Sequence, residues 1–310
     1  MEKITSEWFT STANRVRGYL IKKAFPVCQL LGFHVLNNHY YSPIPDTRTL
    51  RDDLWLKCSE LIGIDINEKK QLALLSLFTS TYKKEYMEFP QVATSIPYEY
   101  YSNNSFFGSV DGAVLFCMIR HFKPRRIFEI GSGYSTYLSA QAVLKNKQEN
   151  NDYECKLVAV EPYPNEIIKT GFPGLSKLIS REIQDVPLSE FQKLQSNDIL
   201  FIDSSHVLKI GSDVQYEYLE ILPRLNKGVL VHFHDIFLPA EYNRDWILKN
   251  HVFWNEQYLL QSFLTFNECF EVLWAGKYMR LSYPKALKEA FSSNAQGEQW
   301  PVSFWIRRIK

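Results

Sequence analysis

Two acidic residues and two histidines follow two apolar segments in the second half of the chain. Asp203 and His206 come directly after the first segment, and His234 and Asp235 come directly after the second. Carboxylates are hard oxygen ligands for Mg²⁺, which would lower the pKa of a substrate hydroxyl and fix its orientation. A histidine, with an ordinary pKa of about 6.5, is a natural general base. We therefore predict that Asp203 and Asp235 hold Mg²⁺ and that His206 removes a hydroxyl proton.

A structural role for the same side chains is also compatible with the sequence. One acid could cap a helix, and the other could accept a hydrogen bond from a neighbouring histidine. Because side chains alternate along a strand, His232 is expected to point away from His234 and to pack in the core.

A glycine-containing turn follows another apolar segment, near residue 130. Glycines allow positive φ and let a ligand approach the main chain, although a purely structural turn would also explain them. A dinucleotide-binding turn has a third glycine where this chain has Thr136. Glu129, before the turn, could receive a cationic amino group, so a ligand with an amino acid part fits better than one with phosphates. The predicted binding residues are Glu129, Gly131, Ser132, Gly133, Ser135 and Thr136.

Further cofactor contacts are predicted after the next two β-like segments. Glu161 is placed to accept hydrogen bonds from a ribose diol, which both NAD and S-adenosylmethionine possess. Gln184 or Asp185 could reach an adenine amino group, and Val186 could cover the face of the ring. A solvated loop explains Gln184 and Asp185 equally well. Asp203, one strand further on, completes the predicted cofactor set.

The elements that position these residues alternate between short β-like runs and helices, which is typical of an open α/β sheet. The predicted strands are 126–130, 156–160, 176–180, 198–202, 227–233, 270–275 and 301–309. The predicted helices among them are 135–145, 164–170, 188–194, 211–222 and 256–266. We predict a Rossmann-like, seven-stranded and mostly parallel sheet that ends in an antiparallel hairpin.

The first third of the chain lacks this alternation. Helical spacing predicts helices over 4–36, 47–63 and 67–84. Residues 89–109 are rich in proline, asparagine and tyrosine and are expected to form a link or lid. We predict an N-terminal, mainly helical region over 1–105 and a catalytic domain over 106–310.

Composition limits the classes of partner. The formal net charge is +1, which provides no field to attract a polyanion, so we expect a small-molecule acceptor and no nucleic acid. No signal peptide or membrane span is recognised, and the five cysteines have neither disulfide nor zinc-ligand spacing. A cytoplasmic protein without a membrane partner is expected, and whether it forms a homo-oligomer is left open.

The ordered motifs resemble the class I S-adenosylmethionine-dependent methyltransferases. They are Glu129–Thr136, Glu161-Pro162, Phe201–His206 and His234-Asp235-Ile236. More narrowly, they are similar to the group related to macrocin-type sugar O-methyltransferases, with catechol-type O-methyltransferases as more distant relatives. The resemblance covers residues 110–310.

The resemblance implies S-adenosylmethionine as cofactor, with Glu129, Gly131 and Ser135 around its methionine part and Glu161 on its ribose. It also implies Asp203 and Asp235 near a divalent metal and His206 as general base. The chain departs from the catechol-type pattern in two places. Ile236 stands where that pattern has an asparagine, so one metal ligand is missing or comes from elsewhere, and the insertion 146–154 lengthens the link between the first two strands.

Together these features predict an O-methyltransferase that acts on a hydroxyl of a small molecule, with sugars or glycosylated metabolites favoured. Aromatic and amide residues after the fifth strand, including Trp246, Trp254 and Tyr258, suit a ring-shaped acceptor, although they could equally pack a connecting helix. Two alternatives are a nicotinamide-dependent oxidoreductase and a non-catalytic binding protein with the same fold.

Overall fold

The computed structural model describes residues 16, 18–291 and 301–310, which form two compact units. The smaller unit contains the described residues up to Leu56 together with Asp245–Phe253, and the remaining described residues form the larger unit. Residues 57–105 therefore belong to the same unit as the sheet. The predicted domain boundary at residue 105 stays a prediction. The two compact units of the structure divide at residue 56.

The smaller unit contains helix α1 over residues 18–30, whereas residues 4–15 and 17 of the predicted first helix lie outside the described residues. The predicted helix over 47–63 is wrong. Two short 3₁₀ turns, Thr47–Thr49 and Asp52–Trp55, occupy part of this range. Leu50, with φ −69° and ψ 127°, has an extended backbone that ends the first turn. Apolar spacing alone could not reveal this break.

The larger unit is built on a seven-stranded sheet with the strand order β3-β2-β1-β4-β5-β7-β6. β1 to β5 run parallel, whereas β7 runs antiparallel to both β5 and β6. The strands are β1 Arg126–Ile130, β2 Lys156–Val160, β3 Leu175–Ile179, β4 Ile199–Ile202, β5 Leu230–Phe233, β6 Phe270–Ala275 and β7 Phe304–Arg308. The predicted Rossmann-like fold is thus confirmed, although helices rather than a tight turn separate β6 from β7.

Helices cover both faces of this sheet. The helices of the larger unit are α2 Glu68–Met87, α3 Ser109–Phe122, α4 Tyr134–Glu149, α5 Glu166–Thr170, α6 Leu188–Phe191, α7 Asp213–Tyr216, α9 Glu256–Leu264, α10 Gly276–Ser282 and α11 Pro284–Phe291. Helix α8, Arg244–Leu248, belongs almost entirely to the smaller unit. α7 continues into a π-helical turn, Glu217–Ile221. Apolar residues of α2, α3, α4, α10 and α11 pack in one core, and those of α6, α7 and α9 pack in the other.

Alternation along the strands decides which side chains share a face. Glu129, Phe201, His232 and Trp305 occupy neighbouring register positions of β1, β4, β5 and β7. The ring of His232 stacks on Phe201 with a centroid distance of 3.9 Å, so its predicted core packing is confirmed. Its predicted direction is wrong, because residues two apart point the same way, and the His232 and His234 rings lie 5.9 Å apart.

Two further observations concern the chain as a whole. All five cysteines are free thiols, in agreement with their spacing. In the part of the chain that the structure describes, no helix combines the length and the apolar character needed to cross a lipid bilayer.

Candidate functional site

The turn after β1 is held between the ends of two neighbouring strands. The Gly131 N–H donates to the carbonyl of Val160 at 3.0 Å, and the Asp203 N–H donates to the carbonyl of Ile130 at 2.9 Å. Gly131 has φ +82°, and a Cβ at this position would overlap the backbone carbonyl oxygen of Asp203. Only glycine therefore fits this turn.

Glu129 lies beneath the turn and is completely buried. Ser135 Oγ donates to Glu129 Oε1 at 2.6 Å, whereas Oε2 has no hydrogen-bond partner. Burial raises the pKa of Glu129 to about 8, against the opposing effect of the Ser135 hydrogen bond. A buried carboxylate oxygen without a partner is suited to receive a cationic group, which supports the predicted role of Glu129 toward an amino group.

Glu129→Gln is expected to make the ligand-free protein less sensitive to pH. Between the ordinary pKa of 4.5 and about 8, the unfolded chain ionises this carboxyl while the folded protein keeps it protonated. The wild-type free energy of unfolding therefore loses a contribution of up to a few kcal/mol as pH rises through this window. Urea unfolding at pH 5 and pH 8 checks this, with Glu220→Gln, on the surface, as the control.

The same variant should bind S-adenosylhomocysteine more weakly, because an amide cannot neutralise an ammonium group. Greater stability at pH 8 combined with weaker binding is the expected pair of results. If Glu129→Gln and wild type lost equal stability between pH 5 and pH 8, Glu129 would not be a buried protonated acid.

A cavity of about 450 Å³ opens at the carboxyl ends of β1, β2 and β4. Four of the predicted cofactor residues line it, namely Gly131, Glu161, Gln184 and Asp203. The Ser132 N–H donates to Glu161 Oε2 at 3.2 Å, and Gln184 Nε2 donates to the Gly211 carbonyl at 2.9 Å. The glycine turn and the end of β2 are thus joined at one wall of the cavity.

The remaining predicted residues of the glycine turn stabilise its conformation and do not line the cavity. Ser135 and Thr136 are buried. The Gly133 N–H donates to Thr136 Oγ1 at 2.9 Å, which closes the first turn of α4. Thr136, the residue that replaces a third glycine, therefore acts in the structure as a helix-capping partner.

Asp185 and Val186 do not line this cavity. A 3₁₀ turn, Ile183–Asp185, carries Gln184 to the cavity, whereas Asp185 and Val186 line a separate groove with residues of β3. Val186 is also buried, and its carbonyl accepts a hydrogen bond from Tyr216 at 3.0 Å. The structure supports the predicted adenine-side position for Gln184 alone.

Asp203, His206 and Asp235 meet at the carboxyl ends of β4 and β5. One ligand atom from each residue lies within 4.8 Å of the others. His206 Nε2 is 3.3 Å from Asp203 Oδ1 and 3.7 Å from Asp235 Oδ2. Two carboxylates and one imidazole are suitable donors for a divalent cation. The predicted metal ligands are thus brought together, with His206 as a third donor that the sequence indicated only as a base.

The imidazole of His206 is anchored from its other side. Its Nδ1 lies 2.9 Å from Glu256 Oε2, and Tyr218 Oη donates to Glu256 Oε1 at 3.1 Å. Nδ1 therefore carries a hydrogen toward the Glu256 carboxylate, and Nε2 is the nitrogen that faces Asp203 and Asp235. No motif in the sequence indicates Glu256. It is the first residue of α9, where an acidic residue is common for reasons unrelated to function.

His206 and Asp235 both adopt left-handed backbone conformations, with φ of 58° and 53°. This conformation costs a non-glycine residue on the order of 1 kcal/mol and persists only where neighbours hold it. The carbonyl of His206 accepts hydrogen bonds from the N–H groups of Asn255 and Glu256, at 3.1 and 3.2 Å. Unusual backbone at two clustered polar residues is typical of functional sites.

His234 approaches the same two carboxylates as His206. Its Nδ1 is 3.7 Å from both Asp203 Oδ1 and Asp235 Oδ2, and its Nε2 is 3.9 Å from Asp111 Oδ2. Asp111 is buried and accepts hydrogen bonds from the N–H groups of Val302, at 2.9 Å, and Ser303. Asp111, on α3, is a second residue near the cluster that the sequence analysis missed, since no motif contains it.

The close packing of carboxylates and imidazoles shifts their pKa values. Burial opposes ionisation of Asp203, but the neighbouring His234 and His206 outweigh it and lower the pKa of Asp203 to about 2. Burial likewise disfavours charged His234, yet Asp203 and Asp235 raise its pKa to about 9. For His206, the hydrogen bonds to Asp203 and Glu256 outweigh burial and hold the pKa well above its usual value. The cluster therefore favours positive charge between its carboxylates.

Comparisons with known proteins show what this chain is similar to. Residues 128–236 match a family described as a methyltransferase domain. An uncharacterised protein of Archaeoglobus fulgidus is 31% identical over 199 residues, which cover 62% of this chain and 87% of that protein. Two solved structures, named CmcI-N160 apo-structure and cmcI-N160 SAH, are similar at 12% identity and cover 71% of this chain. They have TM-scores of 0.34 and 0.38 and are covered over 89% and 98% of their own chains.

Residues 128–236 thus form a methyltransferase domain, on the Rossmann-like sheet that the sequence predicted. The chain is therefore an enzyme, a methyltransferase, as the order of the motifs predicted. The matched range begins in β1 and ends just after β5, so it contains both the glycine turn and the carboxylate cluster. The nicotinamide-dependent and non-catalytic alternatives are not supported.

Proposed function

We propose that this methyltransferase transfers its methyl group to a hydroxyl of a small molecule, with the help of a divalent cation. The observation that carries the proposal is the cluster of Asp203, His206 and Asp235, which shares Asp203 with the cofactor cavity. A cation in this cluster would lower the pKa of the acceptor hydroxyl and orient it. Amines carry a free lone pair at a suitable pH and need less help of this kind, so the cluster favours an oxygen acceptor.

We propose S-adenosylmethionine as the cofactor, which would meet the cavity and the buried Glu129 beneath its glycine turn at three points. The unpartnered Oε2 of Glu129 suits an ammonium group, Glu161 suits the two hydroxyls of a ribose, and Gln184 suits the adenine side. S-adenosylmethionine supplies an electrophilic methyl group when bound. The chain itself supplies orientation, since the glycine turn, β2 and β4 are fixed to one another by backbone hydrogen bonds.

We assign His206 to the cation rather than to the acceptor proton. The same nitrogen, Nε2, cannot serve both as a metal ligand and as a general base. It faces the two carboxylates at 3.3 and 3.7 Å, while Nδ1 is engaged by Glu256. The role of general base, which the sequence predicted for His206, is the alternative to this role of metal ligand. The experiment below distinguishes the two roles.

A ring-shaped acceptor, with a sugar or glycosylated metabolite favoured, is part of the proposal. The indole of Trp254 lies 4.5 Å from the imidazole of His206, and Tyr242 packs 6.2 Å from Trp254. The partly exposed Trp254 ring, with the buried Tyr242 packed beside it, would provide an apolar surface next to the cation cluster, which suits the face of a sugar ring. Trp246 lies in the smaller unit, and the role predicted for it stays a prediction.

The proposal predicts methyl transfer that depends on a cation. Purified enzyme treated with EDTA is incubated with S-adenosylmethionine and a panel of glycosides, free sugars and catechols, and S-adenosylhomocysteine is quantified. Turnover should appear with a hydroxylated acceptor and fall at least about 100-fold without added divalent cation. Methyl transfer that is unaffected by EDTA but is lost in His206→Gln would establish the base role of His206 instead. Exclusive transfer to amines would contradict the oxygen acceptor.

A further inference from the structure

We infer that the cluster of Asp203, His206 and Asp235 binds a first-row transition-metal cation such as Mn²⁺ or Co²⁺ in preference to Mg²⁺. We further infer that Glu256 and Tyr218 are the positioning residues that create this preference. The inference rests on the proposed function, because it specifies the cation of that site. It differs from the Mg²⁺ predicted from the sequence, and the difference comes from one nitrogen atom.

The donor set is mixed. Asp203 and Asp235 contribute oxygen, but the third atom within 4.8 Å is an imidazole nitrogen of His206. Mg²⁺ prefers an all-oxygen shell and keeps much of its water, whereas imidazole is a favourable ligand for transition metals. The residue after Asp235 adds no oxygen donor, since it is Ile236, whose side chain is buried.

The imidazole is fixed in the orientation that a metal ligand needs. Glu256 accepts the hydrogen of Nδ1 at 2.9 Å, so Nε2 is the nitrogen that faces Asp203 and Asp235, and a cation held there would take the place of the Nε2 proton. Metal-bound histidines commonly donate their other ring N–H to a carboxylate in this way. His206, Glu256 and Tyr218 are 5%, 1% and 2% exposed, so water cannot easily replace these contacts.

Rigid elements hold the two supporting residues. Glu256 is the first residue of α9, and Tyr218 lies in the π-helical turn Glu217–Ile221. Such turns in helices are rare and occur frequently at functional sites. The Tyr218 hydroxyl donates to the carboxylate oxygen that His206 does not use, at 3.1 Å. The chain Tyr218–Glu256–His206 therefore fixes both the tautomer and the direction of the imidazole.

Calorimetric titration of the EDTA-treated, full-length protein, saturated with S-adenosylhomocysteine, tests the preference. MnCl₂, CoCl₂ and MgCl₂ are titrated separately into wild type. The Kd for Mn²⁺ and Co²⁺ should be at least about 10-fold lower than that for Mg²⁺. Equal or tighter binding of Mg²⁺ would overturn the inference while leaving the proposed function intact. Failure of all three cations to bind would refute the metal part of the proposed function itself.

Three variants separate positioning from general stability. Glu256→Gln should weaken Mn²⁺ binding about 10- to 100-fold, which is typical of lost support for a metal-bound histidine. Tyr218→Phe, which only removes a hydroxyl, should weaken it in the same direction and by less. His206→Gln, which substitutes an amide oxygen, should reduce Mn²⁺ affinity more than Mg²⁺ affinity and so remove the preference. Unchanged Mn²⁺ affinity in Glu256→Gln would refute the positioning role.

A spectroscopic readout and a matched control complete the test. The visible absorption of bound Co²⁺ responds to a nitrogen ligand and should change in His206→Gln and in Glu256→Gln. Glu220→Gln removes a carboxylate from the same helical region, where Glu220 forms an exposed ion pair with Arg224 at 2.8 Å. That variant should keep wild-type affinities and the wild-type Co²⁺ spectrum. Circular dichroism confirms that each variant is folded.

Discussion

Gly131→Ala should destabilise the enzyme strongly and abolish binding of S-adenosylhomocysteine. A methyl group at Gly131 would overlap the Asp203 carbonyl oxygen, and the backbone at φ +82° is unfavourable for alanine. To remove this overlap, β1 and β4 would have to separate at the point where the cofactor cavity opens. The two effects together should lower the free energy of unfolding by about 3 kcal/mol or more.

Two other glycines make the measurement specific. At Gly171, φ is +78° but a Cβ would contact nothing within 4 Å, so Gly171→Ala measures backbone strain alone. At Gly133 a Cβ would also meet nothing within 4 Å and φ is 177°, so Gly133→Ala should remain close to wild type in stability. Urea unfolding of the three variants should give the largest loss for Gly131→Ala. If Gly131→Ala and Gly171→Ala lowered the free energy of unfolding equally, removal of the overlap would cost little free energy.

Asp203→Asn should reduce methyl transfer by at least about 100-fold. Asp203 lines the cofactor cavity, lies 3.3 Å from His206 Nε2 and lies 3.7 Å from His234 Nδ1. Asparagine preserves the size of the side chain but removes the charge that holds a cation. The pKa of His234, raised to about 9 by Asp203 and Asp235, should fall at the same time.

Calorimetry with Mn²⁺ and turnover with the best acceptor measure the two effects of Asp203→Asn. Asp152→Asn, on an exposed loop, is the control for loss of an acidic side chain. If Asp203→Asn bound Mn²⁺ with wild-type affinity and turned over normally, Asp203 would not be part of the cation site. A normal thermal shift with S-adenosylhomocysteine would show that the cofactor cavity tolerates the change.

The sheet and the ends of its strands were predictable because burial leaves a direct pattern in the sequence. β4 and β5 are short, mainly apolar segments that are followed at once by polar residues, and β1 is followed by the glycine turn. Parallel strands bring their carboxyl ends to one edge, so Asp203 and Asp235 were expected to meet. Gly131 was predictable for a different reason, since a tight turn against neighbouring backbone accepts no side chain.

The rest of the site depends on geometry that one sequence does not display. Glu256 lies 50 residues from His206, and only the packing of α9 brings them together. Asp185 and Val186 were expected in the cavity, but the direction of a short 3₁₀ turn decides which residue enters it. Strand alternation itself places His232 and His234 on the same face, because residues two apart point the same way, which contradicts the expectation that they diverge.

The position of β7 constrains the order in which the nascent chain can acquire its structure on the ribosome. β1 to β5 can pair as they are synthesised, but in the sheet that the structure describes β6 hydrogen-bonds only to β7. Leu230 of β5 pairs with Arg307, which is made much later. β6 therefore remains an unpaired strand while more than one additional helix is translated. Until β7 is made, the apolar residues of β6 have no strand partner, and an unpaired apolar strand is prone to aggregation.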